Sequence, residues 1–136
     1  MLDNYRELID ELLEAPNAVR VAFERAPKPD HIVPIVSTMT EQDRLLAARL
    51  RFLIEHPDAL LEDCPTPPPP PELGTEAAFD TARGDLVSLL INLTLKDWAL
   101  TVRSVTGRET DLAEEVELHI DHCQALLTQL SAASEG

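Results

Sequence analysis

Apolar positions recur at helical spacing along most of this chain, and the polar and proline-rich runs between them set the boundaries. Leu2, Tyr5, Leu8, Ile9, Leu12 and Leu13 fall three and four residues apart, which predicts a first amphipathic helix. Asp3 can cap it. Pro16, which has no amide proton, interrupts or ends it, and Asn17 is a point of restart with Val19, Ala22 and Phe23 apolar. Residues 26–30, "APKPD", read as a break. A second helix is predicted over about 32–55, with Pro34 tolerated in its first turn. Its stripe is Ile35, Met39, Leu45, Leu46, Leu50 and Leu53, and at 100° per residue Thr38, Gln42 and Arg49 share that face.

Thr75 caps a third helix that turns Phe79, Ala82, Leu86, Leu90 and Leu93 inward, with Arg83 in the same stripe. A helical turn or two follows around Trp98, then a turn over 106–111. Asp111 with Glu114 three residues on is a capping signal for a fourth helix over about 112–133, whose stripe is Leu112, Val116, Ile120, Cys123, Leu127 and Leu130. No strand signal and no internal repeat is visible. The pattern predicts an all-α fold, a four-helix bundle in one domain spanning 1–136.

Residues 62–74, "EDCPTPPPPPELG", join helices two and three. Five consecutive prolines cannot be α-helix and favour polyproline II, which at about 3.1 Å per residue is long enough to cross much of a bundle. Either half alone is too small for a good core, so this is a long Pro-rich crossover and not a domain boundary. An SH3-type ligand is the sharper reading of the run, but no basic residue flanks it.

Composition agrees with helices: 44% of residues are apolar, only 4% are aromatic, and there are four glycines. The formal net charge of −14 argues against nucleic acid, whose phosphates need a Lys/Arg surface, and against an anionic membrane. Cys64 and Cys123 lie far apart and form no disulfide framework. The first residues lack the basic start and apolar core of a secretion signal, and no apolar run approaches the ~20 residues of a membrane span. The expected location is cytoplasmic.

Chemistry concentrates in residues 117–124, "ELHIDHCQ". His119 and Cys123 are four apart and project the same way on the inner arc; such a pair can hold zinc or a similar metal, with His122, Glu115 or Glu41 contributing. The competing reading is a buried hydrogen-bonded His, a half-exposed His and a small buried Cys. A Cys123 nucleophile beside either His is a further reading, opposed by its place at the middle of the stripe. Thr38, Gln42, Arg49, Arg83 and His119 form a polar seam facing inward. Burying an unpaired Arg is costly, so these groups are paired, or line a wet pocket in which Arg49 and Arg83 hold a small anionic ligand, or send their heads to the rim.

These features have a familiar order. Arg83 precedes Leu93-Thr94-x-x-Asp97-Trp98, then Gly107-x-x-Thr110, then a helix with His119 and a closing Gln129-Leu130; residues 40–64 supply an acidic, then Arg-Leu segment followed by a Pro and an Asp-containing loop. Over nearly the whole chain this resembles the DinB/YfiT-like proteins. The resemblance implies a four-helix bundle, often dimeric, with a long connection between helices two and three. It also implies one divalent metal held by three His, one on helix two and two in a His-x-x-x-His on helix four. Characterised relatives include thiol-dependent transferases and isomerases that use mycothiol or bacillithiol. On this chain the ligand positions implied are Thr38, His119 and Cys123; a shifted register gives Leu118 and His122 but needs Leu118 inward, against the stripe. One ligand is kept, one is exchanged for Cys and one is lost. The expectation is therefore a homodimeric, non-catalytic or small-molecule-binding bundle without the family's metal. The alternatives are a Zn- or Ni-dependent transferase or hydrolase using His119 with Cys123 or His122, and an acidic protein-interaction module.

Overall fold

The computed structural model describes residues 2–70 and 72–135, without the side chains of residues 2–4; the expected cap at Asp3, the place of Leu2 in the first stripe, and Pro71 lie outside what is described. The chain is mostly helical. Its long helices are α1 (Leu2–Arg25), α2 (Val33–Glu55), α3 (Glu76–Ile91) and, after a short α4 (Leu95–Trp98) and two strands, α5 (Leu112–Glu135). Both α1 and α2 pack along α3 and along α5. No helix among the described residues is long and apolar enough to cross a membrane.

Local chemistry accounts for the helix starts. The Thr75 hydroxyl accepts the Ala78 N–H at 3.0 Å, and the Asp111 carboxylate accepts the Glu114 N–H at 2.8 Å, both satisfying donors that a first turn leaves open. Thr94 and Asp97 form a reciprocal capping box around α4, and Trp98 stacks on Tyr5 with ring centroids 4.6 Å apart. Gly74 ends the crossover at φ +81; a Cβ there would come within 2.6 Å of Val33 Cγ1 and 2.7 Å of Ser37 Oγ, so only glycine lets the connection lie against the start of α2.

Three expectations are corrected. Pro16 neither ends nor interrupts the first helix, which runs through it to Arg25. A proline at position 16 removes the N–H that would bond the Leu12 carbonyl four residues back; that carbonyl instead accepts Arg83 Nη1 at 2.7 Å, which replaces the missing donor. The buried face of α2 is Val36, Met39, Thr40, Asp43, Leu46, Ala47, Leu50 and Leu53, not an arc through Ile35, Thr38 and Leu45. Because α2 is covered by α3 on one side and α5 on the other, its buried arc is wide and centred about one residue later, which leaves Thr38 exposed with its hydroxyl donating to the Pro34 carbonyl.

The third correction is a small sheet. β1 (Thr101–Arg103) pairs antiparallel with β2 (Glu109–Asp111), Val102 opposite Thr110, around a turn with Gly107 at φ +86. Three-residue strands are too short to show alternation. The hairpin persists because it is tied down: the Leu112 N–H donates to the Leu100 carbonyl at 2.9 Å, and Glu62 accepts the Ser104 hydroxyl at 2.7 Å and the Val105 N–H at 2.9 Å. Those bonds hold the Glu62 carboxyl below its ordinary range.

The core has two apolar clusters. One includes Leu12, Leu46, Leu50, Leu86, Leu90, Val116 and Ile120; the other includes Ala15, Val19, Val36, Met39, Phe79, Cys123 and Leu130. On every long helix the changeover falls at one level, between Leu12 and Ala15, Met39 and Leu46, Phe79 and Leu86, and Ile120 and Cys123. The polar chemistry lies at that level.

Candidate functional site

Four helices each supply one part of a buried polar layer. Arg83 on α3 and Asp43 on α2 form a two-pronged ion pair: Nε donates to Oδ2 at 2.6 Å and Nη2 to Oδ1 at 3.0 Å, with side-chain exposures of 2% and 1%. Arg83 Nη1 donates to the Leu12 carbonyl of α1, and Nη2 also donates to Cys123 Sγ of α5 at 3.4 Å. The guanidinium carbon lies 5.0 Å from the centre of the Phe79 ring. His119, on α5, places Nε2 at 2.7 Å from Asp43 Oδ1.

The electrostatics are those of a satisfied buried charge. Burial alone pushes the Asp43 carboxyl up, but the hydrogen bonds from His119 and Arg83 and the Arg83 charge outweigh it and hold the group below its ordinary range. Burial likewise pulls Arg83 down, and Asp43 more than reverses this. An ionised carboxylate can only accept, so His119 Nε2 carries the hydrogen and donates it. In the neutral ring, Nδ1 then keeps the free lone pair.

His119 also lines an open cleft of about 490 Å3 between α2 and α5, closed at one end by the hairpin. Gln42, Arg49 and His122 line it as well, and Arg108 reaches it from the turn of the hairpin. Arg108 Nη2 lies 3.5 Å from Glu115 Oε2, while Glu115 Oε1 is buried with no hydrogen-bond partner among the described residues.

The expected site residues divide between these two places. Gln42, Arg49 and His119 of the polar seam meet at the cleft, joined by His122. Arg83 does not: its head neither reaches the rim nor faces a pocket, because Asp43 takes both prongs. Arg49 and Arg83 therefore cannot grip one ligand together, and Arg108 is the cation that stands near Arg49 instead. Thr38 is on the outer face of α2, away from both. Cys123 is buried under the Arg83 guanidinium, and the other free thiol, Cys64, is half-buried in the crossover, where burial pushes it up.

Asp43 is the residue that sequence reasoning missed. It follows Met39 by four and precedes Leu46 by three, so it is an acid standing inside an apolar row, at the level where Arg83 interrupts the row of α3. Two opposite charges interrupting facing stripes are the signal that was available.

The three-ligand arrangement implied by the resemblance does not fit these side chains. Thr38 faces outward and Cys123 faces a cation, so of the three implied ligands only His119, through Nδ1, keeps a donor atom free. Among the described residues, no group of three or more His, Cys, Asp or Glu side chains is arranged to hold a metal ion. No family model, no curated protein and no solved structure matches the chain.

Proposed function

We propose that this chain is a four-helix bundle of the DinB/YfiT-like kind that binds a small molecule in the cleft beside His119, without the family's three-His metal. The helix contacts support the bundle: α1 and α2 each border α3 and α5, and because α2 and α3 both run from the Met39–Phe79 cluster to the Leu50–Leu90 cluster, the Pro-rich segment between them must return along the bundle. One observation carries the functional reading. Of the three implied ligands Thr38 faces away and Cys123 lies under Arg83 in the buried Asp43–Arg83–His119 layer, while the space next to that layer stays open to solvent.

A second reading, a metal-dependent transferase or hydrolase, is favoured by the carboxylate behind His119, which is how metal-binding imidazoles are commonly oriented. Elemental analysis of untagged protein separates the two. The first reading expects no stoichiometric metal and no change in melting temperature with zinc or nickel, together with thermal stabilisation by members of a small-molecule panel. About one metal per chain, absent from His119→Ala, would overturn it in favour of the enzyme.

A further inference from the structure

The cleft lining mixes two kinds of side chain. Leu46, Leu50 and Leu53 of α2, Leu61 of the adjoining 3-10 turn, and Leu118 of α5 are apolar. Arg49 of α2 and Arg108 of the hairpin turn bring positive charge among them, in a chain whose net charge is −14.

The arginines of the cleft are not neutralised by its one lining acid. Arg108 is shared with Glu115 at 3.5 Å. Among the described residues the Arg49 side chain has no ion pair and no hydrogen bond, although it is partly withdrawn from water. Its influence on Glu62 is the weakest of those felt by that carboxylate, both of whose oxygens are committed to the hairpin. Among the described residues Glu115 is the only acid lining the cleft, so the two arginines leave one positive charge unbalanced there. A guanidinium set among leucines selects an acceptor with two parallel lone-pair positions, which a carboxylate supplies.

We infer that the cleft takes a monoanionic carboxylate with an apolar body, its head on Arg49 and its chain along the leucines. The inference rests on the small-molecule reading above and names the ligand class of that site. A single negative charge matches the single unbalanced cation. A polyanion would leave charge unmatched in the cleft, and the acidic surface would repel it more strongly. The cleft volume suits a medium-length chain.

The test is titration of isotope-labelled protein with octanoate and, separately, octylammonium, followed by amide chemical shifts along α2 and α5. Octanoate is expected to shift amides around Leu46, Leu53 and Leu118 saturably, and octylammonium is not. In Arg49→Gln the octanoate affinity is expected to fall about tenfold or more, as for loss of a charge-assisted bond, while Arg49→Lys keeps most of it. If octylammonium binds as tightly as octanoate, or Arg49→Gln leaves octanoate affinity unchanged, the ligand class is wrong although the cleft still binds small molecules. If neither probe moves a cleft amide, and no member of the broader panel stabilises the protein, the small-molecule reading falls with it. The comparison of the two probes on the natural chain decides the matter even if Arg49→Gln fails to fold.

Discussion

Arg83 donates to the backbone carbonyl of Leu12 across 71 positions of sequence, at 2.7 Å. That carbonyl is the acceptor Pro16 leaves without its helical partner. A proline that would otherwise cost α1 its continuity is thus accommodated by a side chain from another helix. The same guanidinium holds Asp43, so helix continuity and the buried ion pair are coupled through one residue.

The coupling is measurable by a double-mutant cycle. Pro16→Ala restores an N–H that can bond the Leu12 carbonyl. The loss of stability on Arg83→Met should then be about 1–2 kcal/mol smaller in the Pro16→Ala background, the cost of one buried unsatisfied acceptor. Additive effects in urea denaturation would show that the Leu12 carbonyl does not depend on Arg83.

Breaking the ion pair should be worse than replacing it. Asp43→Leu or Arg83→Met alone leaves a buried charge uncompensated and should remove about 3–5 kcal/mol of stability. Asp43→Leu with Arg83→Met should lose clearly less than the sum of the single changes, with a coupling on the order of 2 kcal/mol. A joint loss equal to the sum of the single losses would mean that the charges are hydrated and not buried as a pair.

Acid stability should depend on Asp43. Its folded carboxyl lies below the ordinary value of 3.8. A depressed carboxyl contributes stability that is fully present above the unfolded value and is lost as pH falls through the folded one. In the window below about pH 4, the natural chain should therefore lose stability with a slope up to about 1.4 kcal/mol per pH unit steeper than Asp43→Asn. Parallel acid limbs for the two proteins would rule this out.

The two thiols should react very differently. Cys64 is half-buried in the crossover and raised by burial, and Cys123 is 6% exposed beneath Arg83. A disulfide reagent at neutral pH should modify one thiol per native chain, slowly, and both in denaturant. Cys64→Ser should leave the native chain unreactive; native-state labelling of Cys123 would mean that α5 opens over the polar layer.

Much of this architecture was readable in order along the chain, because it depends on neighbours in sequence. The caps at Thr75 and Asp111, the extents of α2 and α5, the start of α3, the turn of helix at Trp98, and a proline-rich connection that cannot be helical all follow from periodicity and local hydrogen bonding. The inward placement of Arg83, His119 and Cys123 follows as well, since 100° steps set each against its own helix's apolar stripe. Tertiary structure decided the rest. A helical sequence shows which residues face inward but not which groups they meet. The partner of Arg83 could be fixed only when α2 and α3 came together and set Asp43 opposite it. Pro16 reads as a breaker until a donor from α3 reaches Leu12. The hairpin exists because Glu62 and Leu100 hold strands too short to hold themselves, and the cleft exists because α2, α5 and that hairpin converge around His119.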